Sequence, residues 1–301
     1  MLPTPFLEDG VVDPAPYRKL VNCAALAGCR GVVCLGVMGE AHRLTDDERR
    51  EVLGAVIRAA EQAGNGRKGA ARRLSVTVGI SSESNRVAAL RAKEAVAAGA
   101  TAVMAAPARL AKPNPQSTFG YYAAIAEATD LPLVVQDLPE QTGVHMDPQF
   151  IAKLNAELPT AKYLKLEDPP TPPKVSRVLA ATGKKMGVFG GLGGAFLFEE
   201  LRRGAVGTMT GFAYPEVLVA VQRRLAEGDT ESARDVFYRW LPLIRYENQA
   251  GIGLSIRKHI MAKRGLLDGA AVRTPTPAID DATRNELDDI LAHMDPGVSS
   301  L

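Results

Sequence analysis

The feature that most constrains this chain is a rhythm. Between residues 16 and 227, short apolar runs alternate with segments whose apolar side chains recur at helical spacing, and no break in composition interrupts them. The runs at 31–36, 74–80, 101–105, 131–138, 160–170, 186–190 and 205–210 read as strands, the fifth closed by its own two prolines. The segments at 16–29, 45–63, 84–98, 116–128, 148–158, 172–182, 196–203 and 215–227 read as helices, with Gly228 expected as the last one's cap. Parallel strands need a crossover long enough to hold a helix, so this alternation predicts an α/β fold, a parallel sheet of β-α-β units. Three further helices, at 230–246, 252–264 and 283–293, follow with no strand among them. They predict a C-terminal helical region, 229–301, after a sheet domain at 1–228. An eighth strand has to be the stub at 1–4, which is short for the purpose. Either the chain begins late or its first strand is curtailed.

The run at 160–170 narrows the architecture. Read with period two, it puts Tyr163, Lys165 and Glu167 on one face and Leu164 and Leu166 on the other. Leucines toward covering helices and ionisable groups on the opposite face suit a TIM (β/α)8 barrel, whose catalytic groups gather at the strands' C-terminal ends. Lys165 stands about two residues from such an end. The plain alternative is a lysine that snorkels to the rim, and for Glu167 a salt bridge that only holds Lys165 in place.

Other functions lack support in the sequence. The chain has 301 residues, 46% of them hydrophobic and 23% charged, and a net charge of +2, which gives no argument for nucleic acid. The basic run at 67–73 reads as a solvated loop. Cys23, Cys29 and Cys34 are odd in number and lack ligand spacing, and His42, His145, His259 and His293 are scattered, so no metal is expected. The cysteines read as reduced thiols of a cytoplasmic protein. No apolar run approaches the ~18 residues of a membrane span.

The remaining strand ends supply candidate binding groups. Gly36-Val37-Met38-Gly39 is a turn whose amides could hold a carboxylate, or merely a tight turn. The 131–138 strand ends on Gln136 and Asp137, and the 186–190 strand ends on Gly190 and Gly191. That glycine run is not a dinucleotide fingerprint, because no acidic residue follows at the required distance after a further strand. It reads both as a turn where backbone approaches closely and as a source of free amides.

Taken in order, Thr4-Pro5-Phe6 with Asp9-Gly10, the Gly36 to Gly39 turn with Glu40, the Thr45/Glu48 capping box, Leu131-Pro132, Leu138-Pro139, Thr142-Gly143 and the lysine strand resemble the dihydrodipicolinate synthase / N-acetylneuraminate lyase family. The resemblance implies a TIM barrel with a helical C-terminal region, a homotetramer or homodimer, and a lysine that forms a Schiff base with a 2-oxo acid. By position that lysine is Lys165. The chain departs from the family where a hydroxyl pair is usual and Val37 and Met38 stand, where the catalytic tyrosine is usual and Gln136 stands, and where Gln141 replaces an arginine. Valine, methionine and glutamine do not relay protons. This argues against dihydrodipicolinate synthesis itself.

What remains is a carbonyl-trapping Lys165 with Glu167 as general acid and base. The expectation is a lyase that needs no cofactor, with Gly36, Val37, Met38, Gly39, Gln136, Gly190 and Gly191 binding a small 2-oxo acid. Dehydration of a 2-keto-3-deoxy sugar acid is favoured over aldol cleavage, since members that dehydrate such acids share a Lys-x-Glu arrangement. The alternative is a regulatory 2-oxo-acid-binding protein on a retired scaffold.

Overall fold

The computed structural model describes residues 1–65 and 74–294, and the basic run at 67–73 lies outside the described residues. In chain order the elements are α1 (Tyr17–Leu26), β1 (Gly31–Cys34), α2 (Asp46–Asn65), β2 (Ser75–Gly79), α3 (Asn85–Ala97), β3 (Ala102–Ala105), α4 (Pro115–Ala128) and β4 (Leu133–Asp137). They continue with α5 (Pro139–Thr142), α6 (Pro148–Glu157), β5 (Ala161–Leu166), α7 (Thr171–Ala181), β6 (Gly187–Gly190), α8 (Leu197–Arg202), β7 (Gly207–Thr208) and α9 (Pro215–Ala226). The last three are α10 (Thr230–Glu247), α11 (Gly253–Lys263) and α12 (Asp281–Met294).

Local chemistry sets where the helices start. Thr45 accepts from the Glu48 amide at 3.2 Å while the Glu48 carboxylate accepts from the Thr45 amide at 2.8 Å, the reciprocal capping box that opens α2. Asn114 and Asp147 accept from the amides of Ser117 and Phe150 at 2.8 and 2.7 Å, each followed by a proline at the first helical position. A proline there surrenders only an amide that would have had no helical partner. Helix α5 was not foreseen. Its signals are present in Pro139 and in Gly143, whose φ of +69° closes it, but four residues are too few to show periodicity.

Contacts gather the chain into two compact units. One comprises Ser75–Gly191 and Glu199–Met209. In it β2 to β7 lie side by side in chain order, each parallel to the next. Gln136 pairs with Lys165 and Lys165 with Phe189, while Asp137 pairs with Leu166 and Leu166 with Gly190. Because neighbours in register share a face, Gln136, Lys165 and Phe189 stand together on one side. The other side carries the apolar cover, with α6 against β5 and α7 against β6. Leu164, Leu166, Val175, Val178 and Val188 are all fully buried there, each contributing roughly 2 kcal/mol of hydrophobic stabilisation. Strand β7 is shorter than the expected 205–210, yet its bonds to β6 run from the Val206 amide to the Met209 amide.

The other unit comprises Met1–Leu74, Leu192–Phe198 and Thr210–Leu301. The stub at 1–4 forms no regular strand, but the Leu2 amide donates to Val33 O of β1 at 2.8 Å. Helix α9 packs on α10, and α10 on α11 and α12. The C-terminal region is fastened to the N-terminal part of this unit by charge. Lys258, fully buried, donates to Glu40 Oε1 at 2.7 Å and to Ala271 O at 2.8 Å, with its ammonium 4.4 Å from the centre of the Phe6 ring. Arg273 lies over the same ring, donates its amide to Glu40 Oε2 at 3.0 Å, and grips both oxygens of Glu48 at 2.7 Å. Burial pushes the Lys258 ammonium below its ordinary pKa against the pull of Glu40, and Arg273 holds the Glu48 carboxyl down at about 2.

Both side chains of the Lys258–Glu40 pair are shielded from water, so removing one leaves an uncompensated buried charge. Lys258→Ala should cost roughly 3 kcal/mol or more in urea unfolding. Lys263→Ala, which breaks the half-exposed pair with Asp288, should cost under about 1 kcal/mol. Equal losses would show that the Glu40 site admits water.

Candidate functional site

The face of β5 that carries Lys165 ends in a tight cluster. Lys165 is the penultimate strand residue and Glu167 follows one position beyond the end. Both are nearly sealed, at 3% and 9% exposure. Lys165 Nζ lies 3.0 Å from Glu167 Oε2, closer than the strand rise alone would bring them, because the two side chains lean together. Across the β4–β5 ladder, Gln136 Nε2 donates to that same Oε2 at 2.7 Å. An ammonium and an amide thus converge on one carboxylate oxygen. The other oxygen, Oε1, lies toward Gly191, where a Cβ would sit only 2.7 Å from Oε1 and from Cδ and would overlap Cγ. Gly191 therefore has a reason to be glycine that is independent of its amide: the Glu167 side chain occupies the space.

The preceding glycine does the same for a second carboxylate. Gly190 pairs with Leu166, so its missing side chain would point to the helix-covered side. There a Cβ would overlap Glu200 Oε2 and lie 2.7 Å from its Cδ. Glu200, at 1% exposure, accepts from Thr171 Oγ1 at 2.5 Å through Oε1, and its Oε2 has no hydrogen-bond partner. Burial pushes its pKa up to about 7, aided by the charges of Glu199 and Glu167 and opposed by the Thr171 bond.

A third group braces the same strand ends. Lys174, in the first turns of α7, donates to Asp137 Oδ2 at 2.6 Å and to Asp168 Oδ2 at 2.7 Å. His145 Nδ1 stands 3.7 Å from the other oxygen of Asp168. Asp137 is fully buried, and burial lifts its carboxyl to about 6 against the attraction of Lys174. This clamp fixes the residue after Glu167 to the ends of β4 and α7, and with it the direction in which Glu167 leaves the strand.

The cluster thus unites Lys165, Glu167, Gln136, Gly190 and Gly191. The Gly36 to Gly39 turn belongs to the other unit and is described by itself. Its Gly39 amide is spent on Gly36 O at 3.0 Å, and the Glu40 amide on Val37 O at 3.0 Å. The turn does not use the amides of Val37 and Met38, two donors of the kind a carboxylate takes. Met38 is buried against Gly211, where a Cβ would lie 2.7 Å from its Sδ, so its side chain cannot swing freely.

Sequence reasoning missed Glu200, Lys174 and the partnership of Asp137. Glu200 sits in an ordinary acidic pair of α8 and Lys174 in an ordinary helical turn. The one available signal was the Gly190-Gly191 doublet, since adjacent glycines at a strand end leave room on both faces. Among the described residues no cluster of three or more His, Cys, Asp or Glu could hold a metal, and no helix is long and apolar enough to cross a membrane.

Comparison with known proteins places the chain in a family. Residues 1–294 match the model of the Dihydrodipicolinate synthetase family. L-2-keto-3-deoxyarabonate dehydratase of Azospirillum brasilense is 30% identical, over 98% of this chain and 93% of that protein. A 4-hydroxy-tetrahydrodipicolinate synthase of Chelativorans sp. (strain BNC1) is 28% identical, over 97% of this chain and 96% of that protein. The crystal structure of dihydrodipicolinate synthase from Rhodopseudomonas palustris superposes with a TM-score of 0.89 at 34% identity, over 97% of this chain and 95% of that one. The fold class is that of these TIM-barrel proteins, with a helical C-terminal region.

Gly191→Ala tests the carved space. The backbone there needs no left-handed φ, so the chain should fold. The new methyl should push the Glu167 carboxyl away from Lys165 and Gln136, lengthening the 3.0 Å contact beyond about 4 Å in a crystal structure of the variant. An unmoved carboxylate would mean that β6, not Glu167, yields.

Proposed function

This chain belongs to the dihydrodipicolinate synthetase family and is a lyase of that family, and from that premise we propose that it dehydrates a 2-keto-3-deoxy sugar acid through an imine on Lys165. The observation that carries the proposal is the Glu167 carboxylate 3.0 Å from Lys165, with Gln136 as its second partner. Glutamine has no titratable proton, so of these three side chains only Glu167 and Lys165 can move one. The similarity to a sugar-acid dehydratase supports the same choice.

The steps follow from those positions. Lysine attacks a carbonyl as the neutral amine, and the nearby carboxylate can accept the proton that the ammonium must lose. Addition to C2 of the 2-oxo acid and loss of water give an iminium. Glu167 then takes the proton from C3, and the C–H electron pair becomes the C2–C3 double bond of an enamine as the iminium nitrogen is neutralised. The enamine re-forms the iminium, a C3–C4 double bond appears, and the C4 hydroxyl leaves as water with the proton that Glu167 returns. Hydrolysis of the unsaturated iminium frees Lys165. The lysine supplies the electrophilic activation, so the scheme calls for no metal or organic cofactor. The protein fits this reading as a cytoplasmic homotetramer or homodimer whose catalytic groups come from one chain.

Borohydride reduction with pyruvate and with 2-keto-3-deoxy sugar acids should leave a covalent adduct on Lys165, found by peptide mass mapping. No adduct with any 2-oxo acid would sink the imine. Glu167→Gln should keep the adduct while slowing dehydration by roughly 10²-fold or more, the usual scale for general acid and base catalysis. If that variant dehydrates at full speed, Glu167 is only an ion-pair partner of Lys165 and the case for dehydration through it is lost.

A further inference from the structure

The doublet Gly190-Gly191 makes room for two carboxyl groups on opposite sides of one strand end, Glu200 behind it and Glu167 in front. Only Glu167 has a role in the scheme above. Glu200 is almost fully buried, yet among the described residues no ion pair gives it the cation that a buried carboxylate normally requires. Among the described residues its hydrogen bond comes from the Thr171 hydroxyl, and Oε2 faces the Gly190 backbone without a partner. An oxygen left bare in that way is tolerable on a neutral acid and costly on an anion.

We propose that Glu200 is a positioning residue for Glu167, a buried neutral carboxylic acid that lets Glu167 trade its proton freely by carrying no charge of its own. The inference rests on the reading of Glu167 as the acid and base of the dehydration. The groups that act on Glu200 are few. Helix α7 presents Thr171, α8 presents the neighbouring Glu199, and the end of β5 presents Glu167. The lysine nearest in sequence to Thr171, Lys174, is already committed to Asp137 and Asp168. Two of the three influences are like charges, so among the described residues it is the Thr171 hydroxyl that rewards ionisation of Glu200.

Coupling between two carboxyls is reciprocal: the charge of Glu167 disfavours that of Glu200, and the charge of Glu200 disfavours that of Glu167 to the same degree. While Glu200 is neutral, Glu167 can be a carboxylate toward C3 and then release the proton to the leaving hydroxyl. As the pH rises through about 7 Glu200 ionises. A second negative charge beside the site opposes the build-up of negative charge as the C4 hydroxyl departs, and so slows the step in which the proton is handed on. Turnover should therefore fall along an alkaline limb that belongs to a residue the substrate never touches.

Two variants and two readouts test this in the full-length protein. Infrared spectra of the wild type minus those of Glu200→Gln, in which Asp137 and the other buried acids cancel, should show a protonated-carboxyl band at pH 6 that fades near pH 7. In the kcat profile the alkaline limb should vanish in Glu200→Gln. It should move to higher pH in Thr171→Val, which deletes the hydroxyl bond that favours the anion. Absence of the band, or an alkaline limb unmoved by both variants, would overturn the role of Glu200 and leave the imine chemistry standing. A band that behaves as expected in a protein inert toward every 2-oxo acid would overturn the proposed reaction, and the positioning role with it.

Discussion

One carboxylate oxygen with two donors organises this site. Glu167 Oε2 receives Lys165 from its own strand and Gln136 from the neighbouring one, and Gln136 could not reach it without the register that sets it opposite Lys165. The register in turn depends on the apolar side of the same strands, where Leu164 and Leu166 are sealed beneath α6 and α7. Slipping β5 by one residue would bury Lys165 among leucines and turn Leu166 toward Gln136. Hydrophobic burial on one side of the sheet thus fixes the polar cluster on the other.

The parts of this arrangement that were legible in the sequence are those that local periodicity encodes. Alternation by two placed Lys165 and Glu167 together, and the Thr45/Glu48 capping box located the start of α2. The Leu138-Pro139 and Thr142-Gly143 signals were visible, but their four-residue helix was too short to be read as one. What stayed hidden depends on which elements meet in space. Glu200 and Lys174 look like solvated helix residues until α8 and α7 are laid on the strand ends, where one becomes a sealed acid and the other a clamp between two aspartates. The glycine doublet was noticed for its amides, whereas the structure gives both positions a steric reason through the carboxyls they accommodate.

The resemblance and the geometry carry different weight. Similarity along nearly the whole chain establishes family and fold, including relatives named for different reactions. Choice among those reactions rests on side chains at a few strand ends, because a fold hosts many chemistries. Here a glutamine beside a lysine and a glutamate leaves a short list of groups able to carry a proton.

The fastening of the C-terminal region has a consequence for how the protein is made. Glu40 and its partner Lys258 are separated by 218 positions in sequence. At the usual pace of synthesis, about 5 to 20 residues per second, the ribosome needs on the order of 10 to 40 s to deliver the lysine after the glutamate has been incorporated. Throughout that interval the carboxylate has neither Lys258 nor the Arg273 amide, and the Phe6 ring has neither cation above it. The first elements to be synthesised are therefore among the last to be completed, and translation order makes the N-terminal segment wait for the end of its own chain.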